Sequence, residues 1–214
     1  MIQETHLEKD DSNPNIKGYD LYRGKDRFNM GGGGLMTYIK WGINYEKLAK
    51  NMKSGTEVST IRVQLGKNKW VKLTNVYCRP ERSDGDPDIK FETSIIPSTH
   101  DSIICGDFNG HSELWDHILK SDKRGEEIVD WTLENDLSIL NDGSATRFDR
   151  SGKGNDSTPD ISLCGQDYVS KCSWRVGEPI GNSDHLPIII DVSVKVVHQT
   201  ILGASSRWKT NGVD

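Results

Sequence analysis

Short apolar runs with strand-like patterning recur along most of the chain, and only one segment between them carries clear helical spacing. The runs are "LMTYIKW" at 35 to 41, "VSTIRVQL" at 58 to 65, "WVKLTNVYC" at 70 to 78, "SIICGD" at 102 to 107, "LSILN" at 137 to 141, "PDISLC" at 159 to 164 and "LPIIIDVSV" at 186 to 194. Ile61, Val63 and Leu65 alternate with Thr60, Arg62 and Gln64, the pattern of a half-buried antiparallel strand. Ile188 to Ile190 read as buried on both faces. The helical segment is "KRGEEIVDWTLENDL" at 123 to 137, acidic in its first turn, with Ile128, Trp131 and Thr132 or Asn135 at helical spacing. Many strands and an occasional helix predict sheets packed face to face with helices outside. "GGGG" at 31 to 34 lacks the Lys-Ser/Thr of a phosphate-binding loop and precedes a strand, so it reads as a hairpin connection.

The 214 residues suffice for one large domain with a sizeable core. A net charge of -5 does not advertise a nucleic-acid partner, yet a metal-dependent nuclease must concentrate carboxylates at its own site. Basic groups at Lys67, Lys69, Lys72, Arg79 and Arg82, and again at Arg207 and Lys209, read first as solvated surface. Cys78, Cys105, Cys164 and Cys172 show no C-x-x-C spacing and are expected as reduced thiols in an intracellular protein. No stretch is apolar enough to span a membrane, and the start "MIQETHLEKDD" lacks signal-peptide character, so a soluble protein is expected.

Polar groups sit where several runs end. In "GDFNG", Asn109-Gly110 is a strong turn dipeptide, and a turn alone would explain it. If 103 to 109 is extended, however, Asp107 and Asn109 share one face while Phe108 anchors the other. Glu4 in "MIQETHL", Tyr77 and Arg79 in "NVYCRP", Asp160 in "STPDISL", and Ser183, Asp184 and His185 in "NSDHLPI" complete the set. Each has a bland reading as surface charge, core aromatic or turn acid. Together they supply what metal-assisted phosphodiester hydrolysis requires. Glu4 and Asp184 offer oxygen ligands of the kind Mg2+ takes. Asp107 and Asn109 are suited to position and deprotonate a water, and His185 oriented by Asp160 is suited to donate to a phosphate, with Tyr77 a neutral donor beside it.

In this order the motifs "QETHL", "NVYCRP", "GDFNGHSELWD", "STPDISL" and "SDHLPI" resemble the endonuclease/exonuclease/phosphatase superfamily, and most closely the endonuclease domain of non-LTR retrotransposons. The resemblance covers about residues 1 to 194. It implies a DNase-like, four-layered α/β sandwich of two mainly antiparallel β-sheets flanked by helices. It also implies catalytic roles for Asp107, Asn109, Asp160, His185 and Tyr77, metal ligation by Glu4 and Asp184, and substrate contacts from Arg79, Asn109 and Ser183. Mg2+, with Mn2+ as a substitute, is the implied cofactor. The implied activity is nicking of one DNA strand to leave a 3'-hydroxyl that primes reverse transcription of element RNA, in the nucleus. The alternatives are an inactive remnant of such a domain and a phosphomonoesterase of the same superfamily.

One departure stands out. Domains of this kind begin with a strand and a helix before "QET", whereas here Met1 lies almost at that motif, so the first strand and helix are expected to be missing. The tail "SSRWKTNGVD" resembles the start of a segment leading to a reverse transcriptase, which makes residues 195 to 214 an expected linker.

Overall fold

The protein is described by a computed structural model over residues 1–25, 32–80, 89–150 and 154–193. The expected tail and the basic positions Arg82, Arg207 and Lys209 lie outside those residues. The strands are β1 (Tyr19–Arg23), β2 (Met36–Lys40), β3 (Tyr45–Lys53), β4 (Thr56–Gly66), β5 (Lys69–Cys78), β6 (Ser102–Asp107), β7 (Leu137–Ile139), β8 (Asp160–Gly165), β9 (Cys172–Val176) and β10 (Ile188–Val192). The helix α1 (Lys123–Glu134) lies between β6 and β7.

Six strands form one sheet in the order β3-β4-β5-β6-β8-β7, antiparallel except for the parallel pair β5 and β6. Alternation divides its side chains between two cores. On one face Val58, Val76, Ile104, Ile161 and Leu163 pack with Ile128 and Trp131 of α1 and with Phe108 and Trp115. Phe91 meets Phe108 and Trp131 edge to face, with ring centroids 5.9 and 5.6 Å apart. On the other face Ile61, Val63, Val71, Ile103 and Cys164 pack against Tyr22 and Ile39 of the β1-β2 ribbon and against Ile190 and Val192 of the β9-β10 ribbon. The second layer is therefore two separate two-stranded ribbons rather than one continuous sheet.

Between the ribbons lies a cleft of about 820 Å3, walled by Leu73, Ile103 and Cys105 below, β10 on one side and residues 1 to 4 on the other. Its position sets the burial of β10. Ile188 to Ile190 are half-buried, not buried on both faces, because among the described residues β10 pairs only with β9 and because Ile188 and Ile190 line the cleft.

Three strands escape the sequence pattern. β3, "YEKLAKNMK", is a charged edge strand with a register shift between Lys47 and Ala49, both devices that discourage further pairing. β1 and β9 are short, and each is half of a two-stranded ribbon. The helix ends three residues earlier than its apolar spacing suggests, because Asp136 adopts a left-handed φ of 51° and turns the chain into β7. Of the glycine run, Gly31 lies outside the described residues, while Gly32, Gly33 and Gly34 have positive φ and lead into β2, which pairs antiparallel with β1.

Candidate active site

Register brings the polar groups together. Glu57 of β4 pairs with Tyr77 of β5, Tyr77 with Asp107 of β6, and Asp107 with Asp160 of β8. Directly opposed residues project from the same face, so four polar side chains form a row across the sheet. That face carries Ile103 and Cys105 into the cleft, and Asp107 and Asp160 line its polar end with Glu4, Ser183, Asp184 and His185.

Asp107 is 5% exposed. Burial first, and then the nearby Asp160 charge, raise its pKa to about 7 against the opposing pull of His185. Its Oδ1 accepts the Asn109 backbone N–H at 3.0 Å. Asn109 has a left-handed φ of 47°, which Asn tolerates better than most residues, and its Nδ2 donates to the Cys78 carbonyl at 2.9 Å. "DFNG" is thus the turn as well as the end of β6: Asp107 reaches the cleft, whereas Asn109, expected on the same face of an extended run, leaves the strand in its left-handed turn and does not line the cleft.

His185 Nδ1 lies 2.8 Å from Asp160 Oδ2. Burial pulls the imidazole pKa down, but the bond to Asp160 and the charges of Asp160, Asp107 and Asp184 outweigh it and lift the pKa to about 9. The same Asp160 oxygen accepts the Thr146 hydroxyl at 2.7 Å. Thr146 is fully buried and joins two active-site segments, its N–H donating to Ser157 and its carbonyl accepting from Leu186. Sequence reasoning missed Thr146, because "GSATRFDR" ends no strand-like run and a buried threonine has no signature until its partners are known.

Glu4 follows an isolated bridge between Ile2 and Met36 rather than a full strand, with a φ of 51°. Its Oε1 accepts the Tyr77 hydroxyl at 2.6 Å. Burial and this bond both push the Tyr77 pKa well above the ordinary phenol value, so the group stays a neutral donor. Asp184, the other expected metal ligand, accepts the Arg147 Nε–H on its Oδ2 at 2.9 Å. Burial is outweighed there by the Arg147 charge, and the carboxylate pKa is lowered. Ser183 Oγ accepts the His185 N–H at 3.1 Å, a local turn bond. Arg79 leaves the end of β5 with its N–H on the Gly55 carbonyl and does not line the cleft. Among the described residues, Asp107, Asp160 and His185 form a group with ligand atoms within 4.8 Å of one another. Glu4 and Asp184 line the same cleft but each has its own partner.

Gly34 also leaves the phosphate-loop idea behind. Its N–H donates to both carboxylate oxygens of Glu57, at 3.2 and 3.1 Å, so this backbone donor holds an acid of the polar row.

Residues 71–189, more than half the chain, match the family described as endonuclease-reverse transcriptase. The chain belongs to that family. The matched span holds Tyr77, Asp107, Asn109, Asp160, Asp184 and His185, with Glu4 before it. Among solved structures, it is similar to the endonuclease domain of TRAS1, a telomere-specific non-LTR retrotransposon, with 19% identity and a TM-score of 0.67 over 84% of this chain and 82% of that one. That likeness establishes the DNase-like fold. The curated proteins contain no match. No helix among the described residues is long and apolar enough to cross a membrane.

Proposed function

We propose that this domain is a metal-assisted DNA endonuclease that nicks one strand and leaves a 3'-hydroxyl. The observation that carries the reading is the placement of Asp107, raised to about 7, beside an Asp160-His185 pair at the polar end of one cleft. A base with a pKa near neutrality is half-ionised at working pH and still basic enough to take a proton from water. Asp107 has that role, with the Asn109 carboxamide holding the water in line. His185, protonated up to about pH 9, donates to a non-bridging phosphate oxygen, and Asp160 fixes its ring and charge. Tyr77 donates to the same phosphate.

The donor set fits a hard divalent cation, since Glu4 and Asp184 present carboxylate oxygens on the walls of the cleft, ligands such a cation takes ahead of the Cys105 and Met1 sulfurs that also line it. These two residues would hold Mg2+ or Mn2+, which supplies charge stabilisation at the phosphate. Arg79 and Ser183 remain as flanking substrate contacts. In the polyprotein setting, the nick primes reverse transcription of element RNA by an adjoining reverse transcriptase in the nucleus.

The experiment is nicking of supercoiled plasmid in Mg2+, followed by polymerase extension from the nick. Nicking that requires Mg2+ or Mn2+ and yields extendable ends supports the reading. Activity unchanged in excess chelator removes the metal assignment, and hydrolysis of phosphomonoesters without nicking transfers the site to phosphatase chemistry.

A further inference from the structure

The segment "RG" at the start of α1 has no part in the chemistry above, yet it is built against the catalytic turn. Arg124 is a buried arginine, 2% exposed, in the first turn of a helix, where a positive charge is disfavoured by the helix dipole. Its Nη1 donates to the carbonyls of Arg79 at 2.9 Å, Asn109 at 3.1 Å and Phe108 at 3.4 Å. One cationic donor therefore ties the exit of β5 to the exit of β6, the two parallel strands that deliver Tyr77 and Asp107. The surfaces also interlock. A Cβ on Gly110 would come within 3.1 Å of Arg124 Cγ, and a Cβ on Gly125 would sit 1.8 Å from the His111 carbonyl oxygen. Asp122 completes the seat, its Oδ1 accepting from the N–H groups of His111 and Gly125 at 3.2 and 2.6 Å.

Sheet pairing places Asp107 and Tyr77, but it ends before Asn109. What holds Asn109 in its left-handed turn is its own bonds to Asp107 and Cys78 together with the Arg124 donor on its carbonyl. We infer that Arg124 is a positioning residue of the active site, which sets the orientation of the Asn109 carboxamide from behind without touching the cleft. This rests on the nuclease reading for its catalytic consequence, though not for its geometry. A charge-assisted bond to carbonyls is stronger than a neutral one, and lysine offers an ammonium on a different stem in place of the planar fork.

The test compares Arg124→Lys and Arg124→Met with Leu137→Ala, a destabilising control in the same core. Plasmid nicking in Mg2+ and the NMR signal of the Asn109 side-chain amide are both measured. Misplacement of a reacting group by about 1 Å costs about 100-fold in rate. Arg124→Met should therefore lose about 100-fold in kcat with KM within about threefold, Arg124→Lys should recover part of it, and the Asn109 amide should shift and exchange faster in both. Leu137→Ala should lower Tm with kcat and the Asn109 signal retained. If Arg124→Met does not fold, Arg124→Lys carries the same comparison. An unmoved Asn109 amide, or a kcat loss matched by Leu137→Ala at equal Tm, overturns the assignment. If the wild-type chain does not nick DNA, the nuclease reading fails, while the amide signal still decides whether Arg124 positions Asn109.

Discussion

Asp107 and Asp160 are register partners on the adjacent antiparallel strands β6 and β8, so their carboxylates leave the same face of the sheet side by side. Two buried like charges at that spacing disfavour joint ionisation, which is one reason the Asp107 pKa rises. His185, bonded to Asp160, supplies the compensating charge. The three side chains therefore act as one unit. Asp107→Asn and His185→Ala should each lower turnover by about three orders of magnitude or more while DNA affinity stays within a few-fold, and the double variant should be little worse than either single. Mild or additive losses would return these residues to turn and surface roles.

The same unit sets the pH response. Turnover should rise as Asp107 loses its proton near 7 and fall as His185 loses its own near 9. Stability moves differently. Both folded values lie above those of the unfolded chain, roughly 3.9 for Asp and 6.5 for His. Each group then binds protons more tightly when folded, so its contribution is complete below the unfolded value and is lost as pH rises through the folded one. Asp184, with a lowered pKa, acts oppositely and only on the acid side. Melting temperature should fall from pH 6.5 to 9, and this slope should flatten in His185→Gln. An equal slope in the variant would show that His185 is not the group responsible.

Arg147 and any cation compete for Asp184. The ion pair is partly exposed, with side chains 43% and 40% accessible, and pairs of that kind are worth at most about 1 kcal/mol. Arg147→Gln should free the carboxylate and tighten Mn2+ binding roughly fivefold by calorimetry or paramagnetic titration. Unchanged or weaker binding would remove Asp184 from the proposed ligand set.

The central sheet was largely legible because its strands are apolar and alternate: β4, β5, β6 and β8 fall within two residues of the runs that announced them. Three members of the polar row, Tyr77, Asp107 and Asp160, were legible because they stand at the ends of those runs, whereas Glu57, inside β4, was not. What could not be read depends on pairing across the chain. β3 looks like a charged amphipathic segment and is a strand only because β4 offers it an edge. Thr146 and Arg124 matter through partners 14 and 15 or more residues away, and no local pattern encodes such distances. That Arg147, lying 37 residues before Asp184, is its ion-pair partner likewise has no sign in the sequence.

Parallel β5 and β6 approach so closely at Gly106 that a Cβ there would lie 1.8 Å from the Val76 carbonyl oxygen. Nothing flexible can yield, because the obstacle is the backbone of the strand that carries Tyr77. Gly106→Ala should cost about 3 kcal/mol, the upper end of ordinary overpacking, or more, and part Tyr77 from Asp107. Urea denaturation measures the loss, and a cost below about 1 kcal/mol would contradict this spacing.

Two isoleucines separate the packed core from the cleft. Ile161 on β8 is fully buried against the α1 side of the sheet, whereas Ile190 on β10 is half-buried and lines the cleft. Truncating a core isoleucine removes transfer energy and opens a cavity, typically about 2 to 5 kcal/mol in total. At Ile190 part of the side chain already faces open space, so there is less contact to lose and little new cavity. Ile161→Ala should therefore cost at least about 3 kcal/mol and Ile190→Ala less than about 1.5 kcal/mol in urea denaturation. Because the remaining wall is apolar, an anilinonaphthalene dye should fluoresce with the folded wild-type chain and less with Ile190→Asp. Equal costs at the two positions, with no dye signal, would mean that the cleft is closed in solution.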